Sequence, residues 1–243
     1  MKILATADIH SPRYLALYLR KLSPRKTRPD IILLAGDIVE RGRWRECTRV
    51  ITPLREKWPS TPIVSVYGNE EYDEIKELII KTCGEAIWLD DEYIRLEVGD
   101  LKIGVVGTRG ALDKPTPWQA RHVPGISRVY QERIAKIGRL LLRSRYSDEV
   151  TILLTHYPPR CKTLTGEDER FWENMSSKHL ATVVERTKPD IVVHGHLHKS
   201  IVHRDTLGGV PVYNSALPAL KDLLEISYEG EKRGLLGFLG GGQ

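Results

Sequence analysis

The sequence predicts an α/β fold built on two sheets, the first largely parallel and the second more antiparallel. Three observations predict it. Short Ile-, Leu- and Val-rich runs alternate with helix-capable stretches from the first residues onward. Small polar clusters stand directly behind several of those runs. Beyond residue 86 the runs crowd together, with only turn residues between them.

In chain order, Lys2 to Thr6, Asp30 to Ala35 and Pro62 to Val66 have strand character, and helices are expected from Arg13, Arg41 and Glu71. This βαβαβα beginning implies parallel pairing with right-handed crossovers, which collects the loops at the strands' carboxyl ends on one rim. Next come Ala86 to Leu89, Tyr93 to Val98 and Leu101 to Val106, split by Asp90-Asp91 and Gly99-Asp100 and expected to form hairpins. From Thr108 to Ser147 the texture changes. A Gly- and Pro-containing loop running through Pro124 leads into an amphipathic, Arg-rich helix over 127–145, expected to be a lid-like insertion. Strands resume at Val150 to Thr155 and Asp190 to His194, with a helix between them, and again at Ile201 to Arg204 and Val210 to Tyr213. Leu223 to Tyr228 is placed as the closing strand. One domain is therefore expected over 1–233, with 108–147 as its insertion and 234–243 as a frayed, Gly-rich tail.

At 243 residues, 41% hydrophobic and 28% charged, the composition is that of an ordinary globular chain and excludes the disordered and membrane classes. Met1 to Ala7 is apolar but meets Asp8 too early for a signal peptide, so a cytoplasmic location without membrane contact is expected. Three cysteines, widely spaced and without a CxxC pair, indicate neither a disulfide framework nor a zinc ribbon; buried thiols are expected. The net charge of +5 comes from scattered basic residues, denser only at 21–28 and 139–145. It supports a mild preference for anions and no basic groove, so a nucleic-acid partner is not favoured. Two Met beside many Arg, Glu and Pro give the composition a heat-adapted cast.

The polar clusters carry the chemistry. They are Asp8-Ile9-His10, Gly36-Asp37, Gly68-Asn69-Glu70, Thr155-His156-Tyr157 and Gly195-His196-Leu197-His198. Singly each is weak, because an Asp or His after a strand is often a cap or turn residue. Together they supply oxygen and imidazole donors without a thiolate, a set that suits borderline divalent metals and suffices for two ions. His196 and His198 stand two apart, so an extended segment would aim both rings to one side. Gly36 and Gly195 let the backbone turn tightly beside them.

The order Asp-x-His, Gly-Asp-x-x-Glu, Gly-Asn-Glu, Thr-His, Gly-His-x-His resembles the calcineurin-like metallophosphoesterase family, with matches spanning residues 8 to 198. The resemblance implies a four-layer αββα sandwich, two mixed β-sheets flanked by helices, with a dinuclear centre on its rim. It implies that Asp8, His10 and His198 hold one ion, that Asn69, His156 and His196 hold the other, and that Asp37 bridges them. The activity implied is that of a metal-dependent phosphoesterase, here expected to be a phosphodiesterase acting on a small phosphoester or nucleotide. Two alternatives are a nuclease of the DNA-repair type and a non-catalytic interaction scaffold on the same fold. Two divalent ions are the expected cofactors, manganese first, with iron, nickel, cobalt or zinc accepted by the same donors.

The chemistry explains the residue types independently. Two cations roughly 3.5 to 4 Å apart need an anionic bridge, which a carboxylate such as Asp37 supplies and a neutral imidazole does not. A water shared by two ions becomes the hydroxide nucleophile near neutral pH, since even one zinc brings bound water to a pKa of about 7. Asp37, Asn69, Glu70 and Arg109 are the expected catalytic residues. Many family members carry His directly after the Gly-Asn pair, where this chain has Glu70. A Glu serves as a general acid only if its pKa is raised, and adjacent cations lower it, so Glu70 is expected instead to orient His10 or a water. Arg109, at a strand end, is placed to grip a phosphate. Trp118 and Tyr157 are candidates to stack on an aromatic leaving group.

Overall fold

A computed structural model describes residues 1–230. Its elements, in order, are β1 (Lys2–Thr6), α1 (Leu15–Leu22), β2 (Ile31–Leu34), α2 (Cys47–Lys57), β3 (Ile63–Val66), α3 (Lys76–Thr82), β4 (Ile87–Leu89), β5 (Glu92–Val98) and β6 (Leu101–Thr108). They continue with α4 (Pro117–His122), α5 (Ile126–Ser147), β7 (Val150–Thr155), α6 (Lys178–Thr187), β8 (Ile191–His194), β9 (Arg204–Leu207), β10 (Val210–Asn214), α7 (Leu217–Leu220) and β11 (Leu224–Ser227). The first sheet runs β11-β1-β2-β3-β4, parallel except for β11, which closes its edge antiparallel to β1. The second runs β5-β6-β7-β8-β10-β9, parallel across its middle and antiparallel at both edges.

Both faces of each sheet are covered, and the alternation of the strands shows how. Along β2, Ile31 and Leu33 face the second sheet, in a core shared with Val105, Ile152, Leu154 and Val193. Ile32 and Leu34 face the other way, onto Leu15, Tyr18, Val50 and Leu54 of α1 and α2. On the far side, Val106, Leu153 and Val192 pack against Ile137 and Leu141 of α5 and Leu180 and Val184 of α6. The layers are therefore helix, sheet, sheet, helix, as the motif order implied. Each of these fully buried aliphatic side chains contributes on the order of 1.5–3 kcal/mol. Among the described residues no helix is long and apolar enough to cross a membrane.

Several expectations need correction. β4 forms no hairpin with β5: it pairs in parallel with β3, and the chain changes sheets across Asp90-Asp91, where Asp91 takes a φ of 58°. Ile87-Trp88-Leu89 is apolar on both faces, Trp88 joining the helix-side core and Leu89 the inter-sheet core, which suits a parallel strand. The helix expected as part of a lid, α5, is instead a structural layer, because the outward face of β6 and β7 requires a cover. Only α4 of that segment stands proud, with Trp118 63% exposed. The strand expected at 201–204 begins at Arg204. Cys47 and Cys83 form a disulfide, against the expectation of free thiols; α2 and α3 lie side by side on the first sheet and bring their Cα atoms within 6.4 Å. The tail over 234–243 lies outside the described residues.

Candidate metal centre

The loops after β1, β2, β3, β7 and β8 meet at one end of the two sheets, and backbone hydrogen bonds zip them together. Asp8 N–H donates to Gly36 O at 3.0 Å, His10 N–H to Asp37 O at 2.9 Å and Ser11 N–H to Ile38 O at 2.9 Å. Asp8, His10, Asp37 and His196 all adopt left-handed backbone, with φ of 57°, 42°, 50° and 73°. For L-residues that conformation costs about 1–2 kcal/mol each, and such strain persists where the surroundings over-determine it. The left-handed turn at His196 also corrects an expectation. His196 and His198 reach the same cavity through a turn around the buried Leu197, not through an extended strand.

Two groups of ligand atoms lie within 4.8 Å of one another: Asp8 with His10 and His198, and Asp8 with Asp37 and His156. His198 Nε2 is 2.9 Å from Asp8 Oδ1, and His10 Nε2 is 3.3 Å from His198 Nε2. Asp37 Oδ2 lies 3.7 Å from His10 Nε2 and 3.5 Å from His156 Nε2, so one carboxylate oxygen stands between the two imidazoles. Asn69 Oδ1 meets His156 Nε2 at 3.1 Å. The His196 ring sits edge-on to His156 with centroids 5.0 Å apart, and its backbone N–H donates to Asp8 Oδ2 at 2.8 Å. All seven ligands expected from the sequence thus lie at one place, with Asp8 common to both groups.

The supports explain why the loops hold this shape. His156 Nδ1 is 2.9 Å from Ala35 O, a contact that assigns the proton to Nδ1 and leaves Nε2 free as a ligand. A Cβ on Gly68 would overlap the Asp37 carboxylate, and one on Gly195 would come within 2.7 Å of Asp8 Oδ2, so both positions require glycine. Sequence reasoning missed Glu71. Its carboxylate, fully buried, accepts the backbone N–H of Asp37 at 2.8 Å, Gly68 at 2.7 Å and Val39 at 3.0 Å, tying the loop after β2 to the loop after β3. In the sequence an acidic residue at that point is indistinguishable from one favouring a helix start.

The electrostatics suit metal ligands. Burial acts to raise Asp8, but the hydrogen bond from His198 and the facing imidazoles outweigh it and hold the carboxyl below the usual range. Burial pushes Asp37 well above that range, helped by the charges of Glu71 and Asp8. Burial lowers His10, takes His156 down to about 4 and pushes His196 well below its ordinary value, so these rings are neutral donors. His198 is pulled down by burial, yet its contact with Asp8 raises it overall. Asp8, Asp37 and Glu71 are 0%, 1% and 0% exposed, and among the described residues no Lys or Arg forms an ion pair with any of them. Buried carboxylates without a Lys or Arg partner, facing imidazoles and an amide oxygen, fit divalent cations held by N and O donors.

The remaining candidates divide. Glu70 lines the cavity; its N–H donates to Asp37 Oδ1 at 2.8 Å and its Oε2 accepts the N–H of Arg41 at 2.6 Å. Arg109 does not face the cavity. Its guanidinium donates to Glu71 O at 2.8 Å and to Asp73 Oδ1 at 3.1 Å, which makes it a brace for the loop carrying Asn69 and Glu71. Tyr157 is buried with its ring 4.8 Å from that of His196, and its hydroxyl accepts from Gln119 of α4 at 3.3 Å, so it forms floor instead of a stacking face.

A family model described as calcineurin-like phosphoesterase matches residues 1–200. Among solved structures, phosphopantetheinyl hydrolase from Mycobacterium tuberculosis aligns with a TM-score of 0.69 at 15% identity, over 90% of this chain and 89% of that one. TT1561 of Thermus thermophilus aligns at 0.59 and 18% identity, over 92% and 97%. GAP50, the anchor in the inner membrane complex of Plasmodium, aligns at 0.58 and 10% identity, over 90% and 72%. No curated protein matches the chain. At these identities the solved structures corroborate the fold.

Proposed function

The chain belongs to the calcineurin-like phosphoesterase family, a hydrolase of phosphoric esters, and on that premise we propose that it is a dinuclear phosphodiesterase acting on a small phosphoester or nucleotide. The observation that carries this reading is the placement of Asp37 Oδ2, 3.7 Å from His10 Nε2 and 3.5 Å from His156 Nε2. A carboxylate oxygen placed between two sets of N and O donors is what a pair of cations needs as a bridge. One set is Asp8, His10 and His198; the other is Asn69, His156 and His196. Manganese is the first candidate, with iron, nickel, cobalt and zinc compatible with the same donors.

Divalent ions held there would polarise the phosphoryl oxygens and supply a deprotonated water near neutral pH. The chain's own residues do the positioning. Glu70 N–H occupies Asp37 Oδ1 and so turns Oδ2 toward the imidazoles. Ala35 O fixes the His156 tautomer. His196 N–H and His198 Nε2 each engage one oxygen of Asp8, which fixes the plane of that carboxylate. The cavity in front of these groups, about 390 Å³, is of a size that accepts a nucleotide or similar ester.

Elemental analysis of purified protein should find two divalent ions per chain. Metal-loaded protein should hydrolyse bis(4-nitrophenyl) phosphate faster than 4-nitrophenyl phosphate and leave single-stranded DNA largely intact, and Asp37→Asn should abolish hydrolysis. Inactivity toward every ester with every metal would overturn the reading; degradation of the DNA at a comparable rate would shift it to the nuclease alternative.

A further inference from the structure

The charged residues around the cavity can be sorted by what they already hold. Besides Asp37, three acids line it, Glu40, Glu70 and Glu167. Glu40 pairs with Arg13 and Arg43. Glu70 accepts the N–H of Arg41 at 2.6 Å, and Glu167 accepts the N–H of Lys199 at 2.7 Å. Three cations line it as well, and Arg13 is engaged by Glu40. The other two are different. The side chains of Arg41 and Lys199 are exposed and make no hydrogen bond or ion pair among the described residues.

Both are presented by built backbone. Arg41 takes a φ of 48° and is followed by Gly42 at 69°. Glu70 holds this turn twice, its carboxylate on the Arg41 N–H and its carbonyl on the Gly42 N–H at 3.0 Å. A left-handed Arg pinned at both sides is unusual for a residue whose side chain forms no hydrogen bond or ion pair among the described residues. Lys199 directly follows His198, and the clasp on Glu167 holds its main chain. Arg41 comes from the loop after β2 in one sheet and Lys199 from the loop after β8 in the other, yet both border the cavity that contains Asp37, His10 and His198.

We infer that the substrate carries a second anionic group of the phosphate class beside the scissile ester, bound by Arg41 and Lys199 at the cavity rim. The inference rests on the reading of this cavity as the phosphoester site. Of the rim acids, Glu40 is paired with Arg13, while Glu70 and Glu167 hold backbone N–H groups, so Arg41 and Lys199 are the rim cations whose side chains are left to meet a ligand. A guanidinium and an ammonium arriving from two sheets suit a multiply charged phosphate between them, the first by paired N–H donors and the second as a point charge.

Calorimetric titration of metal-loaded protein with thymidine 5′-monophosphate, thymidine 3′,5′-bisphosphate and thymidine 5′-diphosphate tests this. At least one doubly phosphorylated probe should bind about tenfold more tightly than the monophosphate, with a ratio that shrinks as salt is raised. In the Arg41→Gln/Lys199→Gln double variant the ratio should fall by at least fivefold. A wild-type ratio near one for both probes overturns the inference, and so does a ratio that survives in the double variant, since metal chelation alone would then explain it. Hydrolysis of thymidine 5′-(4-nitrophenyl phosphate) is followed in parallel. Its absence while the binding ratio and its loss on substitution persist supports the rim site and overturns the catalytic reading alone.

Discussion

The carboxylate of Glu71 accepts the backbone N–H of Asp37 at 2.8 Å. The proposed bridging ligand is therefore positioned by a residue on a different loop, which also holds Gly68 and Val39. Replacing a carboxylate oxygen by an NH₂ group, as in Glu71→Gln, sets a donor against at least one of these N–H groups. A buried donor left unsatisfied costs about 1–3 kcal/mol. Urea unfolding of Glu71→Gln should show a loss of that size, and elemental analysis should show reduced metal occupancy. Wild-type occupancy in a folded variant would mean that the clamp does not position the ligands.

Gly68→Ala should be as damaging, for a steric reason. A Cβ there collides with the Asp37 carboxylate and comes within 2.5 Å of the Asp37 nitrogen. Overpacking of this kind costs about 1–3 kcal/mol, and relief by moving Asp37 would separate it from the imidazoles. Diester hydrolysis should drop by at least tenfold with the fold retained by circular dichroism. Activity near that of the native chain would show that the loop after β3 has slack which the geometry denies.

Glu70→Gln should be mild by contrast. Its carboxylate oxygen accepts a hydrogen bond from the Arg41 N–H, a task an amide oxygen can perform. Turnover of an activated diester is expected to stay within about threefold of the native value. A loss of a hundredfold or more would restore a proton-transfer role to Glu70.

His194, fully buried behind the site, meets Thr163 Oγ1 at 3.0 Å and Gly195 O at 2.8 Å, and burial lowers its pKa from 6.5 to about 4. The unfolded chain takes up this proton first as the pH falls. The stability contributed by the neutral ring is thus complete above about pH 6.5 and is lost progressively toward pH 4. A shift of that size corresponds to about 3 kcal/mol. Between pH 7 and 4.5, metal-free native protein should lose about 2–3 kcal/mol more than His194→Gln, measured by urea unfolding. Parallel pH curves for the two proteins would rule out this linkage.

The Cys47–Cys83 disulfide joins residues 36 apart, the first residue of α2 and the residue just past α3, the helices that follow the Asp37 and Asn69 loops. By loop-closure entropy a bridge of that span stabilises by about 3–4 kcal/mol. Reduction should lower the urea midpoint accordingly, and Cys47→Ala/Cys83→Ala should show no response to reductant. An unchanged midpoint for the native protein on reduction would show that packing of α2 and α3 alone sets their stability.

The amino-acid order was enough to read the strand-helix alternation of the first sheet, the positions of β1, β2, β3, β7 and β8, and the grouping of Asp8, His10, Asp37, Asn69, His156, His196 and His198 as candidates for a common site. Those features are local. A buried parallel strand needs a short apolar run, and a ligand at its carboxyl end follows within a few residues, so both are written in consecutive letters. Folding in three dimensions added that β4 joins the first sheet, that α5 covers the second, that Cys47 meets Cys83, and that Arg109 braces a loop and does not face the cavity. It alone revealed the left-handed turns at Asp8, His10, Asp37 and His196 and the clamp of Glu71 on three backbone amides. The physical reason is common to all of these. Each depends on which surface the chain meets after folding back on itself, and a side chain's long-range partner leaves no periodic trace among its neighbours in sequence.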